Sequence, residues 1–237
     1  MQCLILAGGK GTRMMPETER LPKALIAVRG RPFAEWQLAW LQREGVERVV
    51  LAIGHRGAHI QDALGDGRRF GLSIAYSDEG RRPMGTAGAI RVAVDAGLLD
   101  ERFLVLYGDS YLTVDVARVW EAAARLGTPL MTVFRNDDRW DASNVAFADG
   151  RVARYEKGVA DPMAAGLRYI DYGLAVLSRG LIEAEVPPER PHDLAAVYGP
   201  LAAAGRLRGF EVPTRFYEIG SPEGLAELEA HLATASG

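Results

Sequence analysis

Residues Leu6–Arg13 read LAGGKGTR and directly continue the short apolar run Cys3–Leu6. An apolar run of this length that ends in glycines is typical of the first buried strand of an α/β sheet. Because glycine has no Cβ atom, the backbone after such a strand can bring its N–H groups close to a ligand. Four cations accompany the glycines: Lys10, Arg13, Arg20 and Lys23. The stretch therefore predicts a loop that binds an oligophosphate at the end of the first strand.

Two common glycine motifs do not fit this loop. A P-loop requires G-x-x-x-x-G-K-[ST] and the dinucleotide fingerprint requires G-x-G-x-x-G, whereas here Gly9-Lys10-Gly11 is followed by TRM. Pro16 and Pro22 also prevent a helix directly after the glycines. We therefore expect the loop to surround its ligand as extended chain, although the glycines alone are equally typical of a solvated surface loop.

The order Gly-Gly-x-Gly-Thr-Arg, followed by Pro-Lys and an apolar segment, resembles the signature of sugar-1-phosphate nucleotidyltransferases. Enzymes of this family join a nucleoside triphosphate to a sugar 1-phosphate, releasing pyrophosphate and a nucleoside-diphosphate sugar. The resemblance implies that Arg13 and Lys23 are catalytic. It also implies a nucleotide-binding set, which consists of Leu6, Ala7, Gly8, Gly9, Gly11 and Thr12.

Length, composition and charge exclude several classes of protein. The 237 residues are 48% hydrophobic and 25% charged, which suits a single α/β domain with an insertion. A formal net charge of -3 argues against a nucleic-acid partner, whose backbone requires a basic surface. The single cysteine excludes an intrachain disulfide, and no apolar run is long enough for a transmembrane helix. We therefore expect a cytoplasmic protein with neither a nucleic-acid nor a membrane partner.

Strand and helix patterns alternate along the first part of the chain, and the alternation stops at a hairpin around Asp149-Gly150. Together with the resemblance, this order predicts a three-layer α/β/α, Rossmann-like nucleotidyltransferase fold of the GT-A type. Its central sheet would be mostly parallel, with a small antiparallel sugar-binding insertion. We expect one domain, 1–237, with a nucleotide-binding part (1–135), a sugar-binding part (136–220) and a C-terminal helix (221–237). An aromatic stripe in the helix after Pro32 predicts core packing or a contact between subunits of a homo-oligomer.

Two local predictions concern the segments around the nucleotide site. Residues Ala24–Val28 are apolar and predict a second short strand. Further along, the small residues of the sequence PMGTAGA allow close backbone approach to a ligand, with Thr86 as the N-cap of a helix over Ala87–Ala96. In the resembling family the matching segment lies along the base and ribose. The resemblance therefore implies that Glu79, Gly85 and Thr86 bind the nucleoside.

Two carboxylates are expected to hold a metal ion. Asp109 follows the strongly apolar strand Phe103–Tyr107, and open α/β sheets bind ligands at such strand ends. Its Gly-Asp sequence resembles the metal ligand of the family. The sequence YEIGSP, residues 217–222, resembles the element that supplies the second ligand, with Glu218 in place of the usual aspartate. The resemblance thus implies a Mg²⁺ cofactor bound by Asp109 and Glu218.

The resemblance implies that the sugar 1-phosphate binds in the second half of the chain. Glu156-Lys157 is similar to the family's Glu-Lys pair, whose carboxylate contacts sugar hydroxyls and whose ammonium contacts the sugar phosphate. An exposed ion pair after a strand would have the same sequence. Tyr172-Gly173 resembles the element that presents a glycine to the sugar ring, and Asn144 at the start of the hairpin completes the predicted sugar-phosphate site.

The implied reaction is an in-line attack by the sugar-phosphate oxygen on the α-phosphorus of the nucleotide. A phosphate monoester has a second pKa of about 6, so the nucleophile is already ionised and needs no general base. The protein has to position two polyanions and neutralise their combined charge. Arg13 would clamp the triphosphate, while Lys23 and Lys157 would hold the attacking phosphate.

Other interpretations of the same residues stay open. Glu218, as a departure from the family's aspartate, is compatible with a catalytically inactive sensor or scaffold of the same fold. A cytidylyltransferase that acts on phosphocholine is a further alternative. Choline is bound by aromatic cages, and the sugar-binding part contains Tyr155, Tyr169 and Tyr172.

The segment before the PMGTAGA turn bears on the choice of base. Uridylyl and thymidylyl members of the family usually have a glutamine there, whereas residues 78–84, DEGRRPM, contain none. Glu79 offers an acceptor-only carboxylate, which matches the two adjacent donors of guanine. The sequence therefore predicts guanine as the base. The PMGTAGA segment also resembles that of guanylyltransferases that act on manno-configured sugars, which implies a manno-configured hexose or heptose 1-phosphate as the acceptor. Cytosine is the second choice of base, and uridylyl and thymidylyl transfer are the remaining alternatives.

Overall fold

The computed structural model describes residues 1–9, 21–80, 82–127 and 129–235. Its strands are β1 (Gln2–Leu6), β2 (Ala27–Val28), β3 (Arg31–Pro32), β4 (Arg48–Ile53), β5 (Ser73–Asp78), β6 (Arg102–Tyr107), β7 (Ser110–Tyr111), β8 (Leu130–Arg135), β9 (Val145–Ala148), β10 (Arg151–Tyr155), β11 (Tyr169–Ser178), β12 (Arg208–Val212) and β13 (Tyr217–Glu218). Its helices are α1 (Phe33–Arg43), α2 (Gly57–Leu64), α3 (Gly85–Asp95), α4 (Val116–Leu126), α5 (Arg179–Glu185), α6 (Leu194–Ala203) and α7 (Pro222–Ala235). The predicted site residues Gly11, Thr12 and Arg13 lie outside the described residues.

Nine strands of the described chain form one sheet in the order β5-β4-β1-β6-β11-β8-β12-β10-β9. The strands β5-β4-β1-β6 run parallel, and β11 is antiparallel to its neighbours β6 and β8. Strand β12 is parallel to β8, and the hairpin β9–β10 continues the sheet with antiparallel pairing. Strand β9 also pairs with β11, so this end of the sheet curls back on itself. The predicted antiparallel part is therefore a continuation of the central sheet.

Helices cover both faces of this sheet. Side chains along a strand alternate between faces, and in β1 Cys3 and Ile5 pack into one core while Leu4 packs into the other. The first core is covered by α1, α2, α4 and α7, and the second by α3, α5 and α6. The predicted three-layer α/β/α architecture is confirmed. In the described part of the chain, no helix combines the length and the apolar composition needed to cross a membrane.

The aromatic stripe of α1 belongs to the first core. Phe33 and Leu41 are 0% exposed and Trp40 is 4% exposed. Trp36 is half-buried, and its Nε1 donates a hydrogen bond to the carbonyl oxygen of Val28 at 3.0 Å. Of the two interpretations of the stripe, core packing is the one that the structure shows.

The predicted strand over Ala24–Val28 is wrong for most of its length. Residues Lys23–Leu25 form a 3₁₀ helix, and only Ala27–Val28 is extended, paired with Arg31–Pro32. The 3₁₀ helix buries Ala24 in the first core and lets Lys23 reach Asp109 across the sheet edge. These two tertiary contacts override the local apolar pattern. They join residues that are far apart in the sequence, so the pattern could not predict them.

The predicted N-cap role of Thr86 is also wrong. Helix α3 begins one residue earlier, at Gly85, whose φ of +72° favours glycine. The carbonyl oxygen of His192 accepts hydrogen bonds from the backbone N–H groups of Ala87 and Gly88, both at 2.9 Å. Thr86 Oγ1 instead accepts a hydrogen bond from the backbone N–H of Leu194 at 2.7 Å, at the start of α6. The helix end is satisfied by a segment about a hundred residues away, which local sequence does not reveal.

A close crossing of two chain segments forms the edge where the site lies. Gly108 follows β6, and its N–H donates to the carbonyl oxygen of Leu6 at 3.1 Å. A Cβ atom at Gly108 would lie 2.2 Å from that oxygen, so only glycine fits. Strands β1 and β6 are parallel, and their C-terminal ends therefore bring the first glycine loop beside Asp109.

Candidate active site

A cleft of about 580 Å³ opens at the C-terminal ends of β1 and β6. It has a nucleotide end, defined here by Gly8, Lys23 and Glu79, and an acceptor end, defined by Asn144 and Lys157. The predicted site residues that line it are Leu6, Ala7, Gly8, Gly9, Lys23, Glu79, Gly85, Thr86, Asp109, Asn144, Lys157, Tyr172 and Glu218. Segments that are far apart in sequence thus meet in one cavity, at the place where open α/β sheets bind ligands.

Two predicted residues do not line the cleft. Glu156 is exposed and forms an ion pair with Arg154, whose Nε donates to Glu156 Oε2 at 3.0 Å. Its expected contact with sugar hydroxyls is therefore not supported by its position. Gly173 is buried behind the wall in a left-handed conformation, φ +101°. A Cβ atom there would lie 3.3 Å from Ser110 Oγ and 3.4 Å from a ring carbon of Tyr107, so the glycine allows tight packing beneath the acceptor end.

At the nucleotide end, Glu79 packs directly against backbone. A Cβ atom would lie 2.6 Å from Glu79 Oε1 if built on Gly8, and 2.5 Å if built on Gly54. Glu79 Oε2 accepts a hydrogen bond from the backbone N–H of Met84 at 2.8 Å. Burial raises the pKa of Glu79, the Met84 hydrogen bond opposes this shift, and nearby Asp78 adds to it. Gly54 follows β4 and has no counterpart in the glycine motif, so the sequence does not single it out.

Lys23 and Asp109 form an ion pair inside the cleft. Lys23 Nζ lies 2.8 Å from Asp109 Oδ2, and the two side chains are 15% and 34% exposed. The lysine comes from the 3₁₀ helix after Pro22 and the aspartate from the turn after β6. The contact fixes the direction of the carboxylate and leaves part of it open to the cavity.

Gln37 holds the turn that carries Asp109. Its Nε2 donates to the carbonyl oxygens of Tyr107 at 3.1 Å and Ser110 at 2.8 Å, which flank Gly108-Asp109. The side chain is 1% exposed, and within the described residues its Oε1 has no hydrogen-bond partner. In the sequence it is one polar residue among the aromatics of α1, and its clamping role follows only from the packing of α1 under the sheet edge.

Glu218 is placed beside Asp109 by a small second sheet. Strand β13 pairs with β7 so that Glu218 is opposite Ser110, and Ile219 N–H donates to the carbonyl oxygen of Asp109 at 3.0 Å. Both carboxylates line the cleft. Carboxylate oxygens are ligands that Mg²⁺ prefers, and it takes few of them from protein when substrate phosphates and waters complete its shell. The described residues contain no group of three or more metal-binding side chains, so the two carboxylates would suit a Mg²⁺ that takes its other ligands from substrate and water.

The acceptor end contains a hydrogen-bonded network that the sequence does not reveal. Tyr107 Oη donates to Asp171 Oδ2 at 2.7 Å, and Gly173 N–H donates to Asp171 Oδ1 at 3.1 Å. The backbone N–H of Asp171 donates to Asn144 Oδ1 at 2.9 Å. Lys157 Nζ lies 5.8 Å from the centre of the Tyr107 ring. Tyr107, Asp171, Asn144 and Lys157 all line the cleft, and none of these contacts joins neighbours in sequence except that between Gly173 and Asp171.

The pKa values in this network keep the tyrosine a donor. Burial raises the pKa of Tyr107 well above its usual value, and the charge of Asp171 raises it further. Burial also raises the pKa of Asp171. The hydrogen bond from Tyr107, the charge of Lys157 and the hydrogen bond from Gly173 N–H oppose this shift, because they favour the ionised form. Tyr107 therefore stays neutral across the physiological range and donates a hydrogen bond to Asp171.

A cation–aromatic contact joins the two sides of the cleft mouth. The guanidinium carbon of Arg215 lies 3.5 Å from the ring centre of Trp140 and 4.6 Å from that of Tyr217. Tyr217 in turn stacks on His231 of α7, with ring centres 4.3 Å apart. Trp140 precedes Asp141, which lines the cleft, and Tyr217 precedes Glu218. The contact therefore connects the loop at the acceptor end with the strand of the second carboxylate.

Comparison with known proteins identifies the family of this chain. The family model described as nucleotidyl transferase matches residues 2–144. The chain is 39% identical over 126 residues to the N-acetylmuramate alpha-1-phosphate uridylyltransferase of Neisseria meningitidis, and the match covers 53% of this chain and 54% of that protein. Two further relatives, a glucose-1-phosphate uridylyltransferase and a glucose-1-phosphate thymidylyltransferase, are matched over 32% and 46% of their lengths. The chain thus spans about half or less of these three relatives.

Other similarities extend over nearly the whole chain. It is 25% identical over 234 residues to the D-glycero-alpha-D-manno-heptose 1-phosphate guanylyltransferase of Aneurinibacillus thermoaerophilus, covering 98% of each. The crystal structure of HddC from Yersinia pseudotuberculosis superposes with a TM-score of 0.80 over 98% of this chain and 99% of that one, at 25% identity. Because the family model covers more than half of the chain and includes the nucleotide end of the cleft, this chain belongs to the nucleotidyl transferase family.

Proposed function

We propose that this protein transfers a nucleotidyl group from a nucleoside triphosphate to a sugar 1-phosphate, giving a nucleoside-diphosphate sugar and pyrophosphate. The observation that carries the proposal is the cleft itself, which has a lysine at each end and two carboxylates in the same cavity. Lys23 stands beside the glycine loop and Lys157 at the acceptor end, with Asp109 and Glu218 in the same cavity. Two polyanionic substrates require this distribution of charge if they are to meet.

The residues of the chain have to position the substrates and neutralise charge, since no proton has to be removed from the nucleophile. A sugar 1-phosphate has a second pKa of about 6 and reaches the cleft as a dianion. Lys157 binds this phosphate from the acceptor side, and Lys23 faces it from the nucleotide side. The glycine backbone at Gly8 and Gly9 receives the nucleotide. Arg13, outside the described residues, remains the proposed clamp for the triphosphate and the departing pyrophosphate.

Asp109 and Glu218 are the proposed ligands of Mg²⁺. Members of the family generally use a divalent metal, and the two carboxylates of this cleft suit Mg²⁺ by their donor chemistry. When bound, the ion supplies positive charge to the phosphate oxygens. Lys23 keeps Asp109 turned into the cavity through their ion pair, and Gln37 keeps the turn that carries Asp109 in place. Glu218 lines the same cavity as Asp109, which supports its proposed role as the second ligand and favours an active enzyme over an inactive scaffold.

Guanine is the base that the nucleotide end favours. Glu79 holds one carboxylate oxygen on Met84 N–H and presents the other beside Gly8, at the end of the cleft. An acceptor-only group suits the adjacent N1–H and amine donors of guanine, whereas uracil would place a carbonyl against it. The full-length similarity to a heptose 1-phosphate guanylyltransferase agrees with this choice, and with a manno-configured acceptor. The similarity to a uridylyltransferase makes uracil the second candidate.

Phosphocholine is a poor fit to the acceptor end. Of the three tyrosines considered for an aromatic cage, only Tyr172 lines the cleft. Tyr155 packs edge-on against Tyr198 with ring centres 5.4 Å apart, and Tyr169 packs against Phe147 at 5.2 Å. The described residues thus offer Tyr107 and Tyr172 around polar groups, and not a box of aromatic faces.

A competition experiment tests the proposal. The purified protein is supplied with Mg²⁺, equal concentrations of GTP, CTP, UTP and dTTP, and glucose, mannose or heptose 1-phosphate in separate reactions. Pyrophosphate release that depends on the sugar phosphate, with GTP consumed first, is the expected result. A clear preference for UTP or dTTP would contradict the choice of guanine alone. Absence of acceptor-dependent release in every combination would contradict the proposed reaction.

A further inference from the structure

Strand β11 has an irregularity at the acceptor end. Its register against β8 shifts between Asp171 and Ala175, and Gly173 within this stretch has a φ of +101°. Such a bulge re-aims side chains and often occurs next to active sites. Asp171, which lines the cleft, is the charged residue of this stretch. Its two carboxylate oxygens accept hydrogen bonds from Gly173 N–H and from Tyr107 Oη.

Asp171 lines the cavity and retains acceptor capacity. An ionised carboxylate has about four lone-pair sites; the hydrogen bonds from Gly173 and Tyr107 use one on each oxygen, and the nearby Tyr155 hydroxyl can use one more. The only hydroxyl hydrogen of Tyr107 is used in the hydrogen bond to Asp171, so the tyrosine oxygen can take part in further hydrogen bonds only as an acceptor. Because both groups are held by backbone and by each other, they are pre-organised acceptors. A ligand group that meets them has to donate, as a hydroxyl or an ammonium does and as a carboxylate does not.

The charges at the acceptor end also disfavour a carboxylate on the acceptor. Two carboxylates, Asp141 and Asp171, line it together with one ammonium, that of Lys157. The proposed role of Lys157 is to bind the phosphate of the acceptor, and among the described residues the acceptor end has no further cation for a second anionic group. Within the described part of the chain, no arginine lines the cleft. A second anion on the acceptor would therefore face like charge in a partly desolvated site.

We propose that Asp171 is a specificity-determining residue for the acceptor, which accepts hydrogen bonds from the hydroxyls of a neutral polyol sugar 1-phosphate and excludes uronic acid 1-phosphates. The inference rests on the proposed function and narrows its substrate class. Uronic acid 1-phosphates, which differ from hexose 1-phosphates by a carboxylate in place of the C6 hydroxymethyl group, are the excluded class. Tyr107 acts through Asp171 as its positioning residue.

A purely structural role for Asp171 makes a different prediction. If the carboxylate served only to stabilise the bulge, asparagine would replace it with little consequence, because its side-chain oxygen still accepts from a backbone N–H. The substitution Asp171→Asn keeps the size of the side chain and removes its charge. Acceptor selectivity, and not folding, is therefore the property that separates the two roles.

The experiment compares kcat/KM for glucose 1-phosphate with glucuronic acid 1-phosphate, and for mannose 1-phosphate with mannuronic acid 1-phosphate. In the unsubstituted protein we expect the neutral member of a pair to be favoured by about 100-fold. In Asp171→Asn we expect KM for the neutral acceptor to rise about 10-fold, with KM for the nucleotide unchanged, and the preference to fall by about 10-fold or more. Asp149→Asn is the matched control, because Asp149 is an exposed turn residue of the β9–β10 hairpin and does not line the cleft.

Each outcome of these measurements either supports or overturns the proposed role of Asp171. Unchanged selectivity in a folded Asp171→Asn protein overturns the inference. If that variant does not fold, the unsubstituted protein decides: equal use of the uronic acid and its neutral partner overturns the inference, and strong preference for the neutral one supports it. Failure of every sugar 1-phosphate to release pyrophosphate would instead overturn the proposed function, so the two failures are distinguishable.

Discussion

The two ends of the cleft are built in different ways. At the nucleotide end the contacts are made by backbone and glycine, and the decisive distances are those at which a Cβ atom would clash, at Gly8, Gly54 and Gly108. At the acceptor end they are made by side chains from separate strands, joined by hydrogen bonds between Tyr107, Asp171 and Asn144. Backbone contacts suit the phosphates and ribose that all nucleotides share. Side-chain networks can be changed one residue at a time, which suits the end where the substrate is selected.

Substitutions of Lys23 and Lys157 should give the largest kinetic difference between the two ends of the cleft. Lys23→Ala removes the cation paired with Asp109, and we expect kcat to fall by about 10² to 10³, as for loss of a charge-stabilising group in other active sites. Lys157→Ala should mainly raise KM for the sugar 1-phosphate, by about 10-fold, because it acts on binding of one substrate. Steady-state kinetics with each substrate varied in turn measures both. Changes in kcat and in the two KM values that are the same in both variants would contradict the division of the cleft into two ends.

Adding one methyl group should disturb the nucleotide end. In Gly8→Ala the new Cβ atom would lie 2.6 Å from Glu79 Oε1, whose carboxylate is held on its other side by Met84 N–H and by Gly54. We expect Glu79 to be displaced and KM for the nucleotide to rise about 10-fold, with KM for the acceptor unchanged. Gly180→Ala is the control, since a Cβ atom there meets nothing within 4 Å and Gly180 lies outside the cleft. An unaltered KM for the nucleotide in Gly8→Ala would show that Glu79 does not take part in binding it.

Substitution of Gln37 should destabilise the turn that carries Asp109, although Gln37 itself does not line the cleft. Gln37→Leu leaves the carbonyl oxygens of Tyr107 and Ser110 without their donor, and we expect a loss of about 1 to 3 kcal/mol in the free energy of unfolding. Because the turn carries Asp109, the affinity for Mn²⁺, measured by electron paramagnetic resonance without substrates, should fall as well. Gln61→Leu, at an exposed position of α2, is the matched control. Unchanged Mn²⁺ affinity in Gln37→Leu would remove Gln37 from the positioning of Asp109.

The smallest effect concerns the pH dependence of stability. Burial raises the pKa of Glu79 in the folded state, so between the unfolded and folded pKa values the folded protein holds a proton that the unfolded chain has lost. Stability contributed by this group is therefore present at low pH and is lost as pH rises through that interval. Glu79→Gln cannot titrate, and its Tm relative to the unsubstituted protein should increase with pH from about pH 4 upward and then level off. A difference in Tm that stays flat between about pH 4 and pH 8 would show that Glu79 is solvated like an unfolded residue.

The difference between the two ends also explains how much of the site could be predicted from sequence. The glycines after β1 and the Gly-Asp sequence after β6 are short motifs that resemble those of the family, and the structure brings Gly8, Gly9 and Asp109 into one cleft. Tyr107 was hidden as the last residue of an apolar strand, and Asp171 as one polar residue inside another. Their hydrogen bond joins residues 64 positions apart and depends on a bulge that the strand pattern does not encode.

The fold shows the same limit. Alternation of strands and helices predicted the three layers, and Asp149-Gly150 marked the hairpin, where both residues have positive φ. Sequence did not predict that this hairpin would extend the central sheet, or that α5 would follow Ser178, whose Oγ accepts from Leu181 N–H. Glu156 was expected in the cleft because Glu156-Lys157 resembles the family's Glu-Lys pair, yet its carboxylate pairs with Arg154 of the preceding strand. Local pattern determines the elements, and long-range contacts determine which side chains reach the cavity.

Phosphorus NMR of the purified protein tests the central claim, that one cleft joins a nucleoside triphosphate to a sugar 1-phosphate, most directly. With Mg²⁺, GTP and mannose 1-phosphate or heptose 1-phosphate, the signals of the triphosphate and the sugar phosphate should disappear together. Pyrophosphate and a diphosphate-sugar doublet pair should appear in equal amounts, and Lys23→Ala should slow all four changes alike. Release of phosphate or pyrophosphate at the same rate without the sugar phosphate, or no change with any of the four triphosphates, would contradict the account.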